Sequence, residues 1–156
     1  MPRHGKTPKR KIRPDVIYNS VLAQRFINKM MIKGKKSKAE NIFYRALDEI
    51  KKKLSQEPLA VFEKAMTNVC PLLEVKARRV GGATYQVPVE ISKDRAQAMA
   101  MQWLREGARE RGGKSMVENL ANELIDASNN TGVAIKNKET LHKTAEVNKA
   151  FAHFRW

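Results

Sequence analysis

The dipeptide Gly81-Gly82, set between two runs of alternating apolar and polar residues, constrains this chain more than any other stretch. Upstream lies Leu72-Leu73-Glu74-Val75-Lys76-Ala77-Arg78-Arg79-Val80, and downstream Ala83-Thr84-Tyr85-Gln86-Val87-Pro88-Val89-Glu90-Ile91. Alternation puts Leu73, Val75 and Ala77 on one face of the first run, with Glu74, Lys76 and Arg78 on the other. In the second run Tyr85, Val87, Val89 and Ile91 face away from Thr84, Gln86 and Glu90. Two such runs joined by glycines predict a hairpin over 72–91, because the favoured hairpin turns need positive φ. Pro88 has no backbone N–H, so its strand belongs at an edge. A hairpin alone is marginal in water; it must rest on helices at its base or gain a partner at its tip. Lys76, Arg78 and Arg79 near the turn point to an anionic partner, while the blander reading makes them solvated charges that discourage edge-to-edge aggregation.

Everything around the hairpin reads as helix. Ser20 predicts the cap of a first helix whose Leu22, Phe26, Ile27 and Met30 turn inward, with Gly34 as its end. Lys33, Lys35, Lys36 and Lys38 follow in the connection. Ser37 with Glu40 reads as a capping box for a second helix with an apolar stripe at Ala39, Ile42, Phe43, Ala46, Leu47, Ile50 and Leu54. Pro58 suits the first turn of a third, with Leu59, Phe62, Ala65, Met66 and Val69 inward and Pro71 as the stop. Ser92 opens a fourth carrying Ala96, Met99, Ala100, Trp103 and Leu104 inward. Ser115 with Glu118 predicts a second capping box, heading a fifth helix with Val117, Leu120, Ala121, Leu124, Ile125 and Ser128 on its inner face and Asn129, Asn130 and Gly132 at its end. Asn137 is the expected cap of a sixth, running through Leu141, Ala145 and Asn148 with Lys136, Lys138, Lys143 and Lys149 outward. Near the end, Phe151 is expected to pack back onto the bundle. Trp156 is open to packing or to stacking on a base.

Charge narrows the partner. The 156 residues carry 31 Lys+Arg against 16 Asp+Glu, a net charge of +15, which points to a polyanion. Arg3, Lys6, Lys9, Arg10, Lys11 and Arg13 precede the first acid, Asp15, and Gly5, Pro2, Pro8 and Pro14 break any helix there. Residues 1–14 thus read as a basic flexible arm and 15–156 as a single helical domain including the hairpin. The expected fold class is mainly α: a bundle of about six helices with an extended β-hairpin and a basic N-terminal tail.

Other classes recede. Cys70 stands alone, which excludes an internal disulfide framework and a cysteine-rich zinc site. No apolar run approaches a membrane span, and Met1 to Arg13 lacks the apolar core of a secretory signal, so a soluble cytoplasmic protein is expected. Gly112-Gly113-Lys114-Ser115 ends like a phosphate loop, but the earlier glycine falls at Ala108 and a helix precedes it where that motif needs a strand. His4, His142 and His153 have no partner at metal or catalytic spacing, and the acids read as caps or helix-surface charges. Neither an enzyme nor a cofactor is expected.

Several stretches, in order, resemble the S seven family of small-subunit ribosomal proteins in its bacterial form. They are Phe26-Ile27-Asn28-Lys29, Gly34-Lys35-Lys36, Ile42-Phe43-Tyr44-Arg45-Ala46, the run Glu74 to Pro88, and the run Ala145 to Trp156. The resemblance implies a primary binder of 16S ribosomal RNA in the 3′ major (head) domain, nucleating head assembly near the transfer-RNA exit site and the messenger path. It implies neighbours of the S nine and S eleven families, and no functional homo-oligomer. The family's RNA surface falls on the arm (Arg3, Lys6, Lys9, Arg10, Lys11, Arg13), on Lys35 and Lys36, and on Lys76, Arg78 and Arg79. We extend that expectation to Arg95, Arg105, Arg109 and Arg111 of the fourth helix and to Lys114. The chain departs from the family in an arm interrupted by Thr7 and Pro8 and carrying His4, and it stops at Trp156, short of the tail of some members.

Two other classes compete. An architectural DNA-binding protein would place the hairpin in a minor groove, yet Val80-Gly81-Gly82-Ala83 is too small a tip to pry bases apart. A membrane-surface protein would expose a bulky apolar helix face, whereas these stripes suit packing on one another.

Overall fold

A computed structural model describes Gly5 and residues 11–154. Arg3, His4, Lys6, Lys9 and Arg10 of the arm, and Arg155 and Trp156 at the other end, lie outside the described residues. Six α-helices stand among those described: α1 (Val21–Met30), α2 (Lys36–Leu54), α3 (Pro58–Val69), α4 (Lys93–Glu110), α5 (Met116–Ser128) and α6 (Val133–Val147). Strands β1 (Leu73–Val80) and β2 (Ala83–Glu90) stand between α3 and α4, and a short 3-10 helix (Asn148–Phe154) follows α6. The α5 helix lies in the middle, packed on α2, α3 and α4. Its Leu120, Ala121, Leu124 and Ser128 are buried as the stripe predicts, and Ala127, outside that stripe, is buried too. The other focus is a ring cluster: Phe26, Phe43 and Phe62 have centroids 5.3–5.6 Å apart, two of the three pairs edge-on. That geometry sets positive ring edges against negative faces and adds to area burial.

Local signals place several helix ends, and a tertiary contact sets the start of α6. Ser20 caps α1, accepting from the Ala23 N–H at 3.4 Å, and Ser115 caps α5, accepting from the Glu118 N–H at 3.3 Å. The Ser37–Glu40 box does not form, because α2 starts two residues earlier than that box requires and Lys35 takes the cap position without a side-chain bond. Gly34 does not end α1, which stops at Met30; the chain then turns through Lys33 and Gly34 at positive φ. Asn137 lies inside α6, whose cap position is Gly132.

The early start of α6 has a distant cause. Glu123, fully buried on α5, accepts from the Ala134 N–H at 2.9 Å and so satisfies an orphan donor in the first turn of α6. Arg111 Nε bonds the same carboxylate at 2.8 Å, and Arg111 also pairs with Asp126. The expectation that acids occur as caps or surface charges therefore fails at Glu123 (0 % exposed), Glu74 (4 %) and Asp15 (2 %). Each has a partner that sequence spacing does not reveal. Asp15 accepts from the N–H groups of Ile17 (3.2 Å) and Tyr18 (3.0 Å) and from the Tyr44 hydroxyl. This ties the start of the folded chain to α2.

Candidate nucleic-acid interface

The hairpin is antiparallel, with Val80 opposite Ala83, Arg78 opposite Tyr85, Lys76 opposite Val87 and Glu74 opposite Val89. Gly81 and Gly82 both have positive φ (58° and 91°), the conformation that lets a two-residue turn follow the strand twist. Directly opposed residues share a face, so the polar set of β1 stands beside the apolar set of β2. Alternation gives two faces for each strand but leaves open which of them join. One consequence is a buried carboxylate at the base, held by two exposed cations. Glu74 bonds Arg95 of α4 and Lys76 (3.2 Å) beside buried Val87. Burial pushes the Glu74 carboxyl upward, but the bonds from Arg95 and Lys76 outweigh it and hold it below the usual carboxylate range.

The C-terminal 3-10 helix closes over the same face. Tyr85 has Phe151 at 5.0 Å and Phe154 at 5.2 Å between centroids, so Phe151 does pack, but on the hairpin where the bundle was the expected partner. On the α6 side, His142 Nε2 accepts from the Leu72 N–H at 3.2 Å, and burial followed by the nearby Lys138 charge pushes the imidazole below its ordinary value. Lys138 is not an outward lysine as expected, since its Nζ donates to the Asn68 carbonyl at 2.6 Å. With its root fixed by α4 and α6, the ribbon leaves Arg78, Arg79 and the glycine turn exposed.

A second cationic cluster forms where the α1–α2 turn meets the end of α4. Lys33 and Lys35 of the turn, Lys38 in the first turn of α2 and Arg109 of α4 line one hollow, although Arg109 is far from the lysines in sequence. Lys36 pairs with Glu40 at 3.3 Å, while Lys33, Lys35 and Lys38 make no ion pair among the described residues. Lys114 is exposed nearby in sequence, 3.9 Å from Glu118.

The arginines of α4 divide by task. Arg105 donates to the Lys29 carbonyl and Arg109 to the Met30 carbonyl, both at 3.3 Å. These are terminal carbonyls of α1, which lack helical partners and carry the negative end of its dipole. Arg111 holds Glu123 and Asp126. All three had been expected at phosphates; their present bonds are to protein, and of them only Arg109 reaches the basic hollow. The seam between α1 and α4 adds two cations that sequence reading missed. Arg25, which bonds Gln97 at 3.0 Å and Asp94 at 3.4 Å, and Lys29 line a second hollow of 500 Å³ together with Ile12. Their spacing of four on one face of α1 is the signal that could have found them. Lys11 and Arg13, the described residues of the arm's root, are exposed beside Ile12.

Helix α4 thus sets the spacing. Arg95 in its first turn meets the hairpin base, and Arg109 in its last turn meets the α1–α2 turn, about 21 Å along the axis at 1.5 Å per residue. Among the described residues no group of His, Cys, Asp and Glu could hold a metal ion, and no helix is long and apolar enough to cross a membrane.

Comparison with known proteins finds one family. A family model described as Ribosomal protein S7p/S5e matches residues 2–149. The chain is 60 % identical to the small ribosomal subunit protein uS7 of Pelotomaculum thermopropionicum over 156 residues, the whole of both chains. It is 59 % and 58 % identical, again over the whole of both chains, to the proteins of that name from Natranaerobius thermophilus and Carboxydothermus hydrogenoformans.

Proposed function

The chain belongs to the S7p/S5e family of ribosomal proteins, as a component of the bacterial small subunit, and on that premise we propose that it is a primary binder of 16S ribosomal RNA in the 3′ major domain, gripping it at both ends of α4. The hairpin's Lys76, Arg78 and Arg79 form one grip; Lys33, Lys35 and Lys38 with Arg109 form the other. Lys36, Lys114, Arg95 and the basic arm, from Arg3 to Arg13, enlarge the positive field around them. By holding two parts of one RNA junction at a fixed distance, the protein would nucleate assembly of the subunit head. Its place is near the transfer-RNA exit site and the messenger path, beside neighbours of the S nine and S eleven families.

The observation that carries this reading is α4 itself, a rigid helix bonded at one end to the hairpin base and at the other to the basic turn. Duplex RNA hides its base edges in a deep groove, so a protein with two separated cationic grips reads shape, phosphates and unpaired bases. The small glycine tip does not favour the DNA alternative, which needs a wedge.

Salt titration of binding to the 3′ major-domain RNA tests it. The double variants Arg78→Ala/Arg79→Ala and Lys35→Ala/Lys38→Ala should each make the slope of log affinity against log salt shallower by about 1.4–1.8, at about 0.7–0.9 per phosphate contact. The two effects should add, because the grips stand well beyond the Debye length of about 8 Å at physiological salt. Slopes unchanged in both variants would remove the two-grip reading, and tighter binding to duplex DNA in competition would favour the alternative.

A further inference from the structure

The hollow between the α1–α2 turn and the end of α4 is not explained by phosphate contact alone. It has a volume of 240 Å³ and a floor that includes Met31, Ile32, Ile42 and Met116. Its rim is cationic throughout, from Lys33, Lys35, Lys38 and Arg109, and no acid lines it. A grip for phosphates needs the cations but has no use for an apolar floor. Ile32 is 56 % exposed there, so apolar surface faces water among the cations. The two features together fit a ligand with a flat apolar body and phosphates attached to it.

We propose that this hollow takes one unstacked base of the RNA held by the turn, with the adjoining phosphates on Lys33, Lys35 and Lys38. This rests on the reading of the chain as a ribosomal RNA binder. Size agrees, since the hollow is smaller than the roughly 300–1,000 Å³ of pockets that take drug-sized molecules, and one base is a fragment by that measure. The chemistry agrees as well: the thioethers of Met31 and Met116 make favourable contacts with aromatic rings. The Arg109 guanidinium, anchored at 3.3 Å to the Met30 carbonyl, is fixed at the edge where it adds a cation–π contact. The base is identified as unpaired because a paired one cannot leave its stack without losing its partner. An anionic lipid has the same two chemical parts, so it is the occupant the test must separate.

The full-length protein, labelled with ¹³C at its methionine methyl groups, is titrated with the 3′ major-domain fragment of 16S ribosomal RNA. Ring current from an inserted base should move the Met31 and Met116 methyl resonances upfield, while Met66, buried in the core, stays in place. RNA that binds with a normal salt slope yet leaves both methyls unmoved overturns the inference and spares the wider reading; RNA that does not bind overturns both. Shifts with anionic phospholipid vesicles but not with RNA assign the hollow to lipid. As a second arm, Ala39→Leu projects an isopropyl group into the hollow. It should weaken RNA binding by about 5- to 150-fold, the equivalent of about 1–3 kcal/mol for one stacked base, without changing the salt slope. Unchanged affinity in a variant that melts cooperatively counts against the base.

Discussion

Replacing Gly107 by alanine tests how firmly the junction of α4, α5 and α6 is held. In an exposed helix interior the change is favourable by about 1 kcal/mol, because glycine loses more backbone freedom on folding. Here a Cβ on residue 107 would stand 2.8 Å from Oε1 and 3.0 Å from Cδ of Glu123, and 3.3 Å from the Val133 Cβ. The carboxylate has nowhere to retreat, since it is fully buried and bonded to the Ala134 N–H at 2.9 Å and to Arg111 Nε at 2.8 Å. Overpacking costs about 1–3 kcal/mol. Disturbing a hydrogen bond to a buried charged group costs about 1.5–3 kcal/mol more. Against the gain of about 1, the expected net loss is about 1.5–5 kcal/mol, lowering the thermal midpoint by about 3–20 °C for a chain of this size. Circular dichroism on heating and in urea measures it, with the urea slope unchanged. The sharper measurement repeats the substitution in a Glu123→Ala background. That background is less stable, but the carboxylate is gone and only the 3.3 Å approach to the Val133 Cβ remains, so Gly107→Ala should now destabilise much less than in the parent. Equal destabilisation in both backgrounds, or a single variant as stable as the parent, would refute the reasoning.

Three further outcomes follow from contacts elsewhere. His142 uses its neutral form to accept the Leu72 N–H, and its folded pKa is lowered; its contribution is therefore complete above the ordinary value of 6.5 and is lost as pH falls through the folded value. The protection factor of the Leu72 amide, its exchange rate relative to the intrinsic rate at each pH, should fall on acidification more than protection in α5, and His142→Gln should remove that difference. Burial, followed by the bond to Asp15 and the charge of Asp15, pushes the Tyr44 phenol above its ordinary value of 10.0, so its share of stability is complete below that pH and is lost as pH rises toward the folded value. In Asp15→Asn, ultraviolet titration should find Tyr44 ionising at lower pH than in the parent yet still above 10.0, with stability reduced by about 1.5–3 kcal/mol; an unmoved Tyr44 contradicts the bond. Phe151→Ala deletes one ring of the trio around Tyr85, a loss of about 0.5–1.5 kcal/mol beyond area, and should raise amide exchange across 148–154 without lowering the protection of α5.

Much of the fold could be read from local pattern, because a stripe at helical spacing or a glycine pair between alternating runs reports on its own neighbourhood. The stripes of α2 and α3, the Pro58 start, the Ser20 and Ser115 caps and the Gly81-Gly82 turn all express such short-range chemistry. Helix ends fall elsewhere than expected at Ser37, Gly34 and Asn137, and at the last of these a distant contact sets the start of the helix. Glu123 makes that contact, since a carboxylate on α5 completes the first turn of α6.

For the interface the division is similar. Composition and the placing of lysines and arginines settle that the partner is a polyanion and that the hairpin and the α1–α2 turn are cationic, because net charge and strand alternation are properties of the chain alone. Only the tertiary structure decides which cations remain for that partner. It commits Arg105 to an α1 carbonyl and Arg111 to buried acids, sets Arg109 beside Lys35, and gives the two basic sites the length of α4 between them. The physical reason is that a guanidinium bonds whatever oxygen the fold brings within reach, and sequence spacing carries no record of an oxygen delivered by a distant helix.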